Sequence, residues 1–238
     1  MTEMSSEQQV QQPPENYTLQ VDFAWRKYKV LITEKTDTSK PLYIADCHNF
    51  RKPHLVFKRQ DGSTFGTGSL QVIGINADCE LDGNPMLIKA LKRWTTKYEH
   101  ISHTLKNEDG SPVRLTWSSS SGWKNWDFIC SDEQGHAVAK FSGHIWAVKK
   151  FADIEFPTPT VDDALREEIV VAGTTLYNEM ILRVNNIGNL VGAVFARPGH
   201  IKDGKLATSH TVPKDDMSEH SVEQVNIPMN NIEKEAIR

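Results

Sequence analysis

Serine, histidine and aspartate are abundant in this chain, yet no Gly-x-Ser-x-Gly elbow is present to hold a serine nucleophile above a sheet. His100 and His103 stand at a spacing that lets two imidazoles meet one metal ion if a turn or helix intervenes. No third ligand accompanies them, so the pair reads as coincidence. His136 and His144 fall in or beside strand patterns, where neighbours satisfy a histidine more often than they set it up as a general base. Cys47, Cys79 and Cys130 are widely separated and form no CxxC, which fits free, buried thiols in a reducing compartment better than a disulfide or a zinc site. Neither a phosphate-binding loop nor a dinucleotide fingerprint occurs. The expectation is a protein that is not an enzyme and uses no cofactor and no metal.

Basic pairs carry more chemistry. Arg51-Lys52, Lys58-Arg59, Lys92-Arg93 and Lys149-Lys150 occur in a chain whose formal net charge is -4. If some converge, they would hold a phosphorylated lipid headgroup through charge-assisted hydrogen bonds. Lys140 and Lys149-Lys150 flank one strand connection with Trp146 between them, and an indole beside ammonium groups suits a membrane–water interface. Lys140, Trp146, Lys149 and Lys150 are therefore the candidate headgroup site. The competing reading is solvated charge at strand ends. Trp117, Trp123 and Trp126 read as a core cluster plus one loop-tip indole, Trp123 being the one expected at the surface.

Bulk properties narrow the partners. With 38% apolar and 24% charged residues, most of the 238-residue chain is expected to fold, as one large domain or two small ones. A net charge of -4 argues against nucleic acid as a partner of the whole protein. The opening MTEMSSEQQVQQPPE lacks the basic and apolar regions of a secretory signal, so Asn16-Tyr17-Thr18 reads as a chance sequon. No run reaches the ~18–20 apolar residues of a membrane span. The expected location is cytoplasmic, at most peripheral at a membrane. The expected partner is anionic membrane lipid or, through the tails, another protein.

The positioning elements follow from pattern. Residues 1–16 are polar and read as a disordered tail. From Tyr17 onward, short β-rich runs alternate with turns, and Asp61-Gly62, Asp82-Gly83 and Asp109-Gly110 mark hairpins, since Asp-Gly tolerates the positive φ of a tight turn. Trp126–Phe141 reads as a further hairpin reversed at Asp132–Gly135. Pro157 and Pro159 end the strands, and a helix is expected over about 160–186, opened by acidic residues and stopped by Asn185-Asn186 and Gly188. Residues 17–196 form the expected domain, and 197–238 a polar, disordered tail.

That helix contains IVVAGTTLY, Ile169–Tyr177, and its apolar positions cover most of the circumference. A helix apolar all round has to be enclosed. Its charge-free middle rises roughly 13–20 Å, far short of a bilayer but close to the depth of a β-barrel. The strands are therefore expected to close into an antiparallel barrel threaded by the helix, the alternative being a β-sandwich with the helix across one open end.

The series Trp126…Asp132-Glu133-Gln134-Gly135-His136-Ala137-Val138-Ala139-Lys140-Phe141…Trp146…Lys149-Lys150…Ile154-Glu155-Phe156, followed by acidic residues and an apolar helix, resembles the tubby C-terminal-like superfamily, in its LURP-one-related and phospholipid-scramblase-like branch. The resemblance spans roughly Tyr17 to Asn186 and is detailed over Trp126–Asn186. It implies a mainly β fold, a closed antiparallel barrel of about twelve strands around a central hydrophobic α-helix. The basic cluster with which tubby proteins hold phosphoinositides is not matched residue by residue, so the lipid expectation rests on this chain's own basic pairs.

Overall fold

The computed structural model describes residues 16–71, 75–92, 97–119, 127–144, 150–185 and 201, with the side chains of 182–185 outside that set. Of the expected tails over residues 1–16 and 197–238, all but residues 16 and 201 lie outside the described residues, as does Trp123. Among the described residues, twelve strands precede one helix: β1 (Thr18–Ala24), β2 (Lys29–Glu34), β3 (Tyr43–Cys47), β4 (Leu55–Arg59), β5 (Thr64–Leu70), β6 (Ala77–Leu81), β7 (Asn84–Ala90), β8 (Lys97–Lys106), β9 (Pro112–Ser118), β10 (Asp127–Ser131), β11 (Ala137–Gly143), β12 (Lys150–Glu155) and α1 (Asp163–Asn185). Every strand pairs antiparallel with its sequence neighbours, and β1 pairs with β12 through Thr18↔Glu155 and Leu19↔Ile154, which closes the ring. The fold is a closed barrel, not the alternative sandwich.

Alternation supplies the lining. Val30 and Ile32 on β2, Val113, Leu115 and Trp117 on β9, and Phe128 and Cys130 on β10 are buried while the residues between them are less so. The Asp-Gly reading holds at all three hairpins. Gly62, Gly83 and Gly110 sit at φ +86°, +81° and +80° with open space around them, so backbone conformation and not crowding selects glycine there.

The helix α1 is capped by Asp162, whose carboxylate accepts from the Ala164 N–H at 3.0 Å. Every residue from Glu167 to Tyr177 is buried, so the strand wall encloses it on all sides. Its closest approach is to β5, where two glycines make the room. A Cβ on Gly66 would lie 2.5 Å from Val171 Cγ2, and one on Gly68 would collide with the Thr175 side chain. On the helix itself, a Cβ on Gly173 would come within 3.0 Å of Phe141 and 3.1 Å of Trp117.

The enclosed length exceeds the charge-free run read from sequence. Glu168 and Glu179 are fully buried rather than marking solvent-facing ends. The barrel supplies their donors. The Glu168 carboxylate accepts from Nε2 of His100 (3.1 Å), Oγ of Ser102 (3.1 Å), Oγ1 of Thr104 (2.7 Å) and the backbone N–H groups of His103 (3.2 Å) and Thr104 (3.0 Å). These bonds fall where the β8–β9 register breaks, between Ile101 and Lys106, so the helix side chain takes up N–H groups that the ladder leaves. Glu179 accepts from the Gln71 N–H at 3.1 Å, and Glu167 from Nε and Nη2 of Arg59 at 2.7 and 2.6 Å.

Because consecutive strands are antiparallel, their connections alternate between two ends of the barrel. The turns at Gly62, Gly83, Gly110 and Gly135 share the end where α1 begins. The β1–β2 and β3–β4 connections share the opposite end.

Candidate functional site

The end opposite the helix N-terminus is built first by the β1–β2 hairpin. Lys27 N–H returns to Ala24 O at 3.0 Å, and Tyr28 follows at φ 53°, a left-handed conformation that turns the chain sharply. The turn presents Trp25, Arg26, Lys27 and Tyr28, all exposed. Trp25 and Tyr28 meet the ring of Phe23 edge-on at centroid distances of 4.6 and 5.6 Å, and Phe151 lies 6.1 Å from Phe23. The hairpin therefore stands on an aromatic footing.

Residues 48–54 join β3 to β4 beside it. Tyr28 hydroxyl donates to Oδ1 of Asn49, and Cys47 N–H donates to Tyr28 O at 3.2 Å, so hairpin and loop are one unit. The loop closes on itself through His48 N–H to His54 O at 2.7 Å. At its crest Phe50 is 100% exposed, next to exposed Arg51 and Lys52, while Trp25 across the way is 67% exposed. A phenyl ring wholly in water sits at an energetic disadvantage that an apolar or interfacial partner would relieve.

The charges here are available. Among the described residues, no carboxylate stands within ion-pairing reach of Arg26, Lys27, Arg51 or Lys52. Just below, Lys29 and Lys58 are both spent on Asp46, at 2.8 and 2.7 Å. Burial works against ionisation of Asp46, but these two lysines outweigh it and hold the carboxyl below its usual range. The other end of the barrel has opposite character. Its turns carry Asp61, Asp82, Asp109 and Asp132, and α1 begins there with Asp163. Bonds from Ser63 and from Ser111 hold the Asp61 and Asp109 carboxyls below the ordinary value. The turns after β4, β6, β8 and β10 thus present aspartates, and the β1–β2 and β3–β4 connections present exposed cations.

The residues singled out from sequence are distributed as follows. Lys140 is exposed on β11, 3.7 Å from Glu155. Lys150 binds Asp153 at 2.8 Å, and the same carboxylate oxygen meets Nε2 of His144 at 3.1 Å. Lys140 stands opposite Glu155 in register, which puts it about 16 Å along β12 from Lys150 at the ordinary strand rise. The structure does not bring these two lysines together. Trp146 and Lys149 belong to residues 145–149, outside the described residues. Of the other basic pairs, Lys58-Arg59 is consumed internally, since Arg59 also binds Asp82 at 3.1 Å. Arg51-Lys52 belongs to the cationic end. Arg26-Lys27 went unread in the sequence, although Trp-Arg-Lys-Tyr between two strand runs was a signal for it.

Two further places hold clustered polar side chains. A hollow of about 510 Å³ at the acidic end is lined by Tyr43, Arg59, Asp82, Asp163, Arg166 and Glu167 among others. Its cations are already taken, Arg59 by Glu167 and Arg166 by Asp163 at 2.7 Å. His100, whose spacing to His103 was read as chance, is a buried partner of Glu168. Among the described residues, no three His, Cys, Asp or Glu side chains converge to hold a metal ion.

The fold defines a barrel plugged by its own helix, with a cationic, aromatic end. No known family model matches the sequence, and no curated protein matches it. Among solved structures, the chain is similar to the X-ray structure of a protein from Arabidopsis thaliana, at 15% identity over 73% of this chain and 93% of that one, with a TM-score of 0.44. Among the described residues, no helix is long and apolar enough to cross a membrane.

Proposed function

We propose that this protein is a non-catalytic, tubby-like barrel that docks peripherally on anionic phospholipid headgroups, cationic end first. The observation that carries the reading is the joint exposure of Trp25 and Phe50 with four cations that have no described carboxylate beside them: Arg26, Lys27, Arg51 and Lys52. Indole and phenyl groups settle at the headgroup level, and each cation adds about 1 kcal/mol near an anionic leaflet. The acidic turns at the far end favour the same orientation, since they are repelled by the surface. Anionic lipid is concentrated on the cytoplasmic leaflet, which makes the cytoplasm the fitting compartment. Enclosure of α1 favours a surface site over an interior one, because the space where a lipocalin-type barrel takes ligand is filled by Ile169–Tyr177. The same architecture supports placing the chain beside the LURP-one-related and scramblase-like proteins. Lys140 and Lys150 would join the site only by leaving Glu155 and Asp153.

The test is sedimentation of the full chain with phosphatidylcholine vesicles, with and without phosphatidylserine. Binding that requires phosphatidylserine, weakens with salt and falls in Arg26→Glu/Lys27→Glu/Arg51→Glu is the expected result. Equal recovery with neutral and acidic vesicles would overturn the proposal and leave a protein as the partner of this surface.

A further inference from the structure

In the β3–β4 loop, hydrogen bonds define the tautomer of both histidines. Arginine only donates, so the contact of Arg51 Nη2 with Nε2 of His48 at 3.1 Å makes that ring nitrogen an acceptor. The ring proton is then on Nδ1, which donates to the Pro53 carbonyl at 3.0 Å. At the other end of the loop, the Leu70 N–H donates to Nδ1 of His54 at 3.0 Å, which places that ring's proton on Nε2. Between the two rings lie Phe50, Arg51 and Lys52.

From these bonds we infer that the loop is a proton-operated latch on the cationic end. One proton on Nε2 of His48 and one on Nδ1 of His54 cancel the Arg51–His48 and Leu70–His54 bonds, free the Arg51 guanidinium and add two positive charges, so docking on an anionic surface tightens as pH falls. The inference rests on the lipid reading above. Both protons come from solvent, and no covalent bond changes apart from the two new N–H bonds.

The surroundings set the balance. Burial, followed by the charges of Lys52 and His48, holds His54 below the ordinary histidine value. On the neighbouring hairpin, Arg26, Lys27 and Lys29 also oppose added positive charge. Asp46, on β3, is occupied by Lys29 and Lys58. On the β5 side, Gln71 follows Leu70; its N–H is held by Glu179 of α1 at 3.1 Å and its side chain by Asp78 of β6 at 3.2 Å. Burial and the surplus of cations keep His54 unprotonated near neutral pH. An anionic surface reverses that, because it raises the local proton concentration and favours each added charge about fivefold.

The full chain is to be titrated with phosphatidylcholine vesicles carrying about a third phosphatidylserine, at about pH 7.5 and about pH 5.5. The expected result is an affinity about tenfold or more higher at the lower pH. His48→Asn/His54→Asn, whose amides take no proton in this range, is expected to remove most of that ratio. A ratio that survives the double substitution overturns the latch. A lipid-free readout separates the two ideas: ring-nitrogen NMR is expected to show the Nδ1–H tautomer for His48 and Nε2–H for His54 at neutral pH. The Leu70 amide should lose exchange protection as His54 protonates. The opposite tautomers, or a Leu70 amide indifferent to pH, overturn the latch whatever the vesicles do. Intact latch signals with no vesicle binding at either pH overturn the lipid reading alone.

Discussion

The indole Nε1 of Trp117 donates to Nδ1 of His100 at 3.1 Å, with both side chains wholly buried. An indole only donates, so Nδ1 has to accept, and the ring is left with Nε2–H to offer Glu168. The strand wall and the helix are joined through one imidazole. His100→Ala is expected to leave the Trp117 N–H and the Glu168 carboxylate each short of a partner, at a cost of about 1–3 kcal/mol per orphaned group. Urea unfolding measures it; a loss under half that range would mean the site relaxes around the gap.

Glu168 also gives the fold an acid limit. Burial pushes its carboxyl up, but bonds from His100, Thr104 and Ser102 outweigh burial and hold it below its ordinary value of 4.5. The unfolded chain therefore binds this proton more readily than the folded one. The resulting stability is fully present above about pH 4.5 and is lost as pH falls through the lower folded value. Glu168→Gln should be less stable than the parent at neutral pH and show a flatter decline on acidification. Parallel acid curves for the two proteins would contradict this.

Crowding between α1 and β5 is testable with a double-substitution cycle. Gly68→Ala places a methyl against Thr175, whose β-branch gives it little rotational escape, and should destabilise by about 1–3 kcal/mol. Thr175→Ala removes the colliding atoms and should recover much of that loss in the double variant. Additive losses would show that the two residues do not touch.

The three thiols should be sluggish. All three cysteines are free, and burial pushes Cys47 up to about 11, Cys79 up to about 12 and Cys130 well above the ordinary thiol value. A thiol reagent at mildly alkaline pH should label the folded protein slowly and the urea-unfolded protein rapidly at all three positions. Fast labelling of Cys79 or Cys130 in the folded state would show that the barrel opens.

Phe50 and Lys140 separate the surface the structure presents from the one first read in sequence. Phe50→Ala should weaken binding to phosphatidylserine vesicles about fivefold or more, the loss of a ring buried at the interface. Lys140→Ala should change it by less than about fivefold, the allowance for one charge, since Lys140 already faces Glu155. The reverse order of effects would return the site to β11 and β12.

Much of the architecture was legible because it is written locally. Asp-Gly pairs mark hairpins by their own backbone preference, and Ile169–Tyr177 announces an enclosed helix by lacking any polar side. The site was less legible because charge availability is a non-local property. Lys58 and Arg59 look as free in sequence as Arg51 and Lys52 do. The difference lies in Asp46 across the neighbouring strand and in Glu167 of the distant helix. The role of His100 was not legible for the same reason, since its partners Trp117 and Glu168 come from other elements.

Closure of the ring through β1 and β12 sets an order of events during synthesis. The first stave finds its last neighbour only after residue 155 has emerged, and the plug that fills the space is made later still. A growing chain must therefore carry an unsealed, greasy trough through most of its translation, with two raw sheet margins open to other chains. Nascent chains arrested before Asp163 should be readily cut by protease and dependent on chaperones, whereas chains arrested beyond Asn185 with the helix clear of the exit tunnel should resist digestion.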